Sequence, residues 1–149
     1  MFVDEYQELH DLIVCGDYSR ALALIGELDA MCRRDYVRKI RNYMRVILIQ
    51  LIRRHAERRD LKSRRRSIVH ALAEIELLNE RGGPALDPAL DPRDFPGLLE
   101  EAWGRASAIA AIEIDRRLCP EHEIARRVDR EAILAEALAL IAGDEAPGD

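Results

Sequence analysis

The sequence predicts an all-α domain, and three observations lead to that prediction. Of the 149 residues, 48% are apolar but only 5% are aromatic, so Leu, Ile and Ala have to supply most of the core. Charged residues make up 34% of the chain, as is common in proteins built from amphipathic helices. Only eight Gly and six Pro are present to interrupt helices. We therefore expect a single-domain bundle of five to six helices around one long central helix.

A single domain is expected from the length, because domains commonly have roughly 100–200 residues. We assign residues 1–142 to this domain and residues 143–149, "GDEAPGD", to a flexible tail. The acidic start "MFVDEYQELH" has no apolar signal region, and the apolar run "VILIQLI" is too short to span a bilayer. These features predict a soluble, cytoplasmic protein with no membrane partner.

The three cysteines, Cys15, Cys32 and Cys119, stand far apart, and no C-x-x-C pair occurs. Such a set fits neither a disulfide framework nor a zinc site, so we expect buried, reduced thiols. No nucleophile motif and no glycine-rich phosphate loop is present. The sequence therefore predicts no metal site and no cofactor, and it favours a protein that is not an enzyme.

The first two helices are predicted on either side of Gly16. The first runs from about Asp4 to Cys15 and ends at this glycine, which tolerates a positive φ. Asp17 or Ser19 can cap the second helix. The residues expected along its apolar face are Tyr18, Leu22, Ile25, Leu28 and Cys32.

The third and longest predicted helix spans Arg34–Arg53. Its apolar stripe recurs at steps of three and four residues: Val37, Ile40, Tyr43, Met44, Ile47, Leu48 and Leu51. Four arginines follow its flank at the same spacing: Arg34, Arg38, Arg41 and Arg45. Between Val46 and Ile52 the helix is apolar on nearly every side, so this segment either lies centrally in the bundle or is covered by a second chain.

Three more helices complete the prediction. Ser63 or Ser67 begins the fourth, and "GGPALDPALDPRDFPG" then forms a connection of sixteen residues. The fifth helix runs from about Leu98 to Leu118, and small alanines on one face allow another helix to approach closely. The last helix spans about Glu121–Ile141 as one element.

The segments "VRKIRNYMRVILIQLIRR", "SRRRSI", "PAL", "LLEEAWGRASAIAA" and "CPEHEIARRV" follow one another over roughly residues 6–128. In this order they resemble an uncharacterised bacterial all-helical family, Domain of Unknown Function 29. The resemblance implies an all-helical domain and brings no established activity with it. The chain departs from the family pattern at Gln50, where the family has His, at Arg54 and Arg64, where it has Trp, and at Gly26, where it has a carboxylate.

The segment "RRHAERRDLKSRRR", residues 53–66, carries eight basic residues in fourteen. It is either a surface for phosphates or the positive half of a charge balance inside the bundle. We favour the balance, because the pI of 5.5 is far below the basic values typical of nucleic-acid-binding domains. The candidate phosphate-binding residues are Arg53, Arg54, Arg58, Arg59, Lys62, Arg64, Arg65 and Arg66.

One carboxylate, Glu113, falls on the line of the apolar face of the fifth helix. It is either a buried acid with an arginine partner, and so a site candidate, or the point where the helix leaves the core, which we prefer. His70 and Glu74 stand one helical turn apart and could offer two metal ligands. Because no third ligand is near in the sequence, we expect these two to be solvated surface groups.

We therefore predict a non-catalytic helical module for protein interaction and self-association, with a homodimer favoured. The candidate interface residues, which would pack against neighbouring helices or a second subunit, are Val46, Ile49, Ile52, Ala102, Ala106 and Ala110. The alternative is a nucleic-acid-associated protein that binds phosphates through residues 53–66. A third hypothesis is a carboxylate-dependent enzyme or metal protein around Glu27, His70 and Glu113.

Overall fold

The computed structural model describes residues 2–80 and 90–143, and the regular structure in these ranges is entirely helical, which confirms the all-α class. The elements are α1 (Phe2–Val14), α2 (Tyr18–Glu57), α3 (Lys62–Glu80), a 3₁₀ turn (Pro92–Asp94), α4 (Phe95–Glu113), α5 (Glu121–Arg127) and α6 (Arg130–Ala142). Most of the doubled "PALD" connection and the predicted tail from residue 144 lie outside the described residues. No described helix has the length and apolarity needed to cross a membrane.

The central helix α2 is continuous over 40 residues, so the predicted separation of the second and third helices is wrong. No Gly or Pro occurs between Glu27 and Glu57, and nothing in that stretch stops a helix. The predicted signals before it are confirmed: Gly16 has a φ of 79°, and the Asp17 side chain accepts a hydrogen bond from the Arg20 backbone N–H. The helix ends at Glu57, and the next residue, Arg58, has a left-handed φ of 53°.

Side-chain contacts show in which direction each helix runs relative to α2. Arg41 pairs with Glu101 at 3.1 Å and Arg53 with Glu113 at 3.3 Å, so α4 runs parallel to α2. Tyr36 donates a hydrogen bond to Asn79, while the Tyr43 ring meets His70 edge-on, so α3 runs antiparallel. The fourth long element, α6, packs against both α2 and α4.

The predicted start and end of the fifth helix and the predicted continuity of the last helix are wrong. The fifth helix begins at Phe95 instead of Leu98, with Pro96 in its first turn, and ends at Glu113 because the backbone is extended at Ile114. The last predicted helix is divided into α5 and α6. Asp129 separates them and caps α6 by accepting a hydrogen bond from the Ala132 backbone N–H at 3.3 Å.

The core follows the predicted stripe of α2. Its side chains Ile40, Met44, Ile47, Leu48 and Leu51 are completely buried against α3, α4 and α6. The α4 face that meets α2 is made of small residues, as the sequence predicted, and this lets the two parallel helices lie close together. The core begins at Tyr36, about one quarter of the way along the described chain.

The first part of α2 extends beyond this core together with α1. Ala21, Leu24 and Leu28 are buried, and α1 packs against this part of α2. We call α1 and residues 18–35 of α2 the arm. Eighteen residues of α-helix correspond to about 27 Å, so the arm is comparable in length to the rest of α2.

Candidate functional site

The basic segment 53–66 covers the end of α2, a tight turn and the first turn of α3. Its two buried charges are Glu57 and Arg64, which are 5% and 4% exposed. The left-handed Arg58 reverses the chain, so that Arg64 returns to donate a hydrogen bond to Glu57. Arg64 also donates to the Arg59 carbonyl at 3.2 Å. A bonded ion pair therefore lies inside this end of the bundle.

Glu57 has further partners that tie α2 to α4. Its carboxylate pairs with the Arg53 guanidinium at 3.4 Å and accepts a hydrogen bond from the Asp115 backbone N–H at 3.3 Å. Arg53 in turn reaches Glu113. Burial lowers the pKa of the Arg64 guanidinium, and the negative charge of Glu57 opposes that effect. Because Glu57 neutralises it, Arg64 can remain charged at this position.

A second group of ion pairs surrounds the first. Arg54 and His55 both contact the Glu136 carboxylate of α6, His55 at 2.9 Å. Arg127 of α5 donates to the Ala56 and Leu118 carbonyls at 3.0 and 2.7 Å. These contacts join the carboxyl end of α2 and the connection after α4 to α5 and α6.

The eight predicted phosphate-binding residues therefore divide into two sets. Arg53, Arg54 and Arg64 are engaged inside the molecule, and Arg65 lies 3.8 Å from Asp60. The exposed members are Arg58, Arg59, Lys62 and Arg66. Half of the segment thus serves internal charge balance, and the other half faces solvent.

The remaining acid and histidine candidates do not form a common site. Glu113 is exposed at the end of α4 and pairs with Arg53, in keeping with the preferred view that the helix leaves the core there. His70 is exposed on α3, and Glu27 is exposed on the arm. Within residues 2–80 and 90–143, no three His, Cys, Asp or Glu side chains are grouped as metal ligands. Cys119 is buried as predicted, but Cys15 and Cys32 are exposed, so the expectation of buried thiols is wrong for these two.

The predicted interface residues lie mostly inside the chain. Ile52 is buried, and Val46 and Ile49 are half-buried against the core. The alanines of α4 are buried as well: Ala102, Ala106 and Ala110. From the sequence we expected these side chains to pack against neighbouring helices or a second subunit, and in the structure they pack against neighbouring helices of the same chain.

Large exposed apolar side chains are concentrated on the arm. Val14 is 71% exposed, Tyr18 64% and Leu22 68%, and Tyr6 and Ile13 of α1 are exposed as well. This exposure could have been predicted from the sequence, because the start of α2 has two apolar stripes and α1 can cover only one of them. We expected Tyr18 and Leu22 on the buried face, whereas α1 covers the other stripe and leaves these two open.

An arginine-rich groove lies between α2 and α4, with a volume of about 440 Å³. Arg38, Arg41 and Arg45 of the predicted flank stripe form one wall, and Glu101 and Arg105 form the other. Asp35 lies at one end of this stripe. The pKa of its carboxyl is lowered, first by a hydrogen bond from Lys39 and also by the charge of Arg38.

Comparison with known proteins gives no significant match to any family model, curated protein or solved structure.

Proposed function

We propose that this protein is a non-catalytic helical module for protein interaction and self-association, and that the arm is its contact element. The observation that supports this proposal is the exposed apolar surface formed by Ile13, Val14, Tyr18 and Leu22. A helical hairpin has only one partner layer for each helix, so the face opposite that partner stays in contact with water.

The energetic case rests on the size of these side chains. Burying a large aliphatic or aromatic side chain contributes about 1.5–3 kcal/mol relative to leaving it in water. Several of them on one short arm can offset the translational and ordering cost of association, about 4–15 kcal/mol, once both copies of a dimer contribute. The buried charges Glu57 and Arg64 are bonded to each other, and they play no part in the proposed contact.

The test is the mass of the protein in solution as a function of concentration, by sedimentation velocity. The variant Tyr18→Asp/Leu22→Asp should bring the weight-average mass down to that of a single chain, 17.0 kDa. The matched control is Ile112→Asp on α4, because Ile112 is 81% exposed and lies outside the arm. An unchanged association in the arm variant, or an equal loss in the control, would refute the arm as the contact element.

We also propose membership of Domain of Unknown Function 29 and a cytoplasmic location. The ordered set of helical motifs supports the first. The free thiols of Cys15, Cys32 and Cys119 support the second, because exposed unpaired cysteines are typical of reducing compartments. Neither assignment adds an activity to the interaction role.

Nucleic-acid association through residues 53–66 is a second candidate. It is favoured by Arg58, Lys62 and Arg66, which are exposed and have no ion-pair partner in the described part of the chain. Fluorescence anisotropy with labelled single- and double-stranded oligonucleotides measures it. Binding that weakens steeply with salt and is lost in Arg58→Glu/Lys62→Glu/Arg66→Glu would support this role, whereas no binding at low salt would exclude it.

A further inference from the structure

The groove between α2 and α4 has more guanidinium groups than carboxylates along its walls. Four guanidinium groups line it, and Glu101 is the one carboxylate among its lining residues in the described chain. Arg41 pairs with that carboxylate at 3.1 Å, and Arg38 pairs with Asp35, three residues before it on α2. Arg45 donates to Asn42, a neutral side chain, and Arg105 has no ion-pair partner among the described residues.

The positions of these arginines follow from the helix geometry. Arg38, Arg41 and Arg45 recur at three and four residues and therefore share one flank of α2. Glu101 and Arg105 are four residues apart and share the facing flank of α4. Because α4 runs parallel to α2, with Arg41 beside Glu101, the same register brings Arg105 level with Arg45. The small side chain Ala102 lies between the two walls and leaves the groove open.

Three properties define the ligand that would suit this groove. Its volume of about 440 Å³ falls within the range of small-molecule sites, roughly 300–1,000 Å³. The guanidinium fork matches phosphate oxygens in a bidentate geometry, and several forks require a ligand with several negative charges. No lining residue has an aromatic ring on which a nucleic-acid base could stack.

We infer that the groove between α2 and α4 is a binding site for a small multivalent phosphate, held between Arg45 on one wall and Arg105 on the other, while Arg38 is paired with Asp35. Arg41, already paired with Glu101, fixes the spacing of the two walls. The site lies apart from the exposed apolar surface of the arm, and its occupancy does not depend on the proposed self-association.

The probe is inorganic tripolyphosphate, titrated into the full-length protein by calorimetry at low ionic strength. Saturable binding of one tripolyphosphate per chain is expected. The variant Arg45→Gln/Arg105→Gln should weaken it at least about tenfold, because two charge-assisted contacts are lost. Affinity should also fall as salt is raised, since Arg38 and Arg41 are 65% and 41% exposed at the side chain.

The matched control is Lys62→Gln/Arg66→Gln, which removes the same number of positive charges from exposed positions near the start of α3. It should bind tripolyphosphate like the parent, and circular dichroism should show the same helix content in both variants. The inference is overturned by an absence of saturable binding or by equal weakening in both variants, which would indicate diffuse attraction of anions. It is equally overturned if a single-stranded oligonucleotide binds much more tightly through the same arginines, which would make the groove a nucleic-acid backbone site.

Discussion

Removing the Glu57 carboxylate should be the most damaging single change to the charged end of the bundle. Glu57→Leu leaves the Arg64 guanidinium, 4% exposed, without its counter-charge. Burial lowers the pKa of the Arg64 guanidinium, and the variant removes the Glu57 charge that opposes this effect. Breaking a buried pair from one side costs about 3–5 kcal/mol. That is a large part of the 5–15 kcal/mol by which domains are commonly stable.

Removing the other partner should cost less. In Arg64→Met, Glu57 keeps the Arg53 guanidinium and the Asp115 backbone N–H, so we expect a loss of about 1–3 kcal/mol. In the double variant Glu57→Leu/Arg64→Met no unpaired buried charge remains. Replacing a buried ion pair by apolar side chains of similar volume is often neutral or stabilising, so the double variant should be more stable than Glu57→Leu alone.

The assay is urea unfolding at neutral pH, followed by circular dichroism, for the parent, both single variants and the double variant. The coupling free energy from this cycle should exceed about 1 kcal/mol, as expected for residues in direct contact. Strictly additive costs, or a cost below about 1 kcal/mol for Glu57→Leu, would refute the view that Glu57 keeps Arg64 charged inside the bundle.

Three further changes test other parts of the fold. Ala106→Leu adds bulk to the close α2–α4 contact, and overpacking should reduce the free energy of unfolding in urea by about 1–3 kcal/mol. Arg58→Gly should raise the urea midpoint, because glycine adopts the left-handed φ of 53° without steric cost. Asp115 has a pKa lowered from 3.8, first by a hydrogen bond from the Arg117 backbone N–H. The Asp115 carboxylate therefore contributes fully to the free energy of unfolding above pH 3.8, and this contribution is lost as the pH falls through its lower folded-state pKa. Asp115→Asn should make the free energy of unfolding depend less on pH in this acid range. An unchanged pH dependence would contradict the role of Asp115.

The central helix and its buried face could be predicted from the sequence because one stripe there dominates. Ile40, Met44, Ile47 and Leu51 recur at helical spacing, with arginines on the flank, so only one face could enter a core. The start of α2 offered two stripes of similar apolarity. The choice between Leu24 and Leu22 depends on which side α1 covers, and that is a tertiary contact without a local signature.

The sequence alone also could not predict which charged residues meet in the folded structure. Glu57 and Arg64 are close in sequence, but they meet only because Arg58 adopts a left-handed conformation, which a non-glycine residue rarely does. The arginine stripe on α2 was visible in the sequence, yet Arg105 becomes its opposite wall only through the parallel register of α4. Asp129, by contrast, lies directly before α6, and an aspartate at that position could have predicted the start of a separate helix.

Because α2 is continuous, one helix extends through two regions of the molecule that are packed differently. The start of α2 packs mainly against α1, whereas the second half of the helix is surrounded by α3, α4 and α6, so we expect the two halves to differ in local stability. Backbone amides of α1 and the start of α2 should then exchange with deuterium faster than those around Met44 and Leu48. We therefore expect the arm to unfold as a separate cooperative unit while the bundle stays intact, and a bound partner that covers the arm should slow exchange there first.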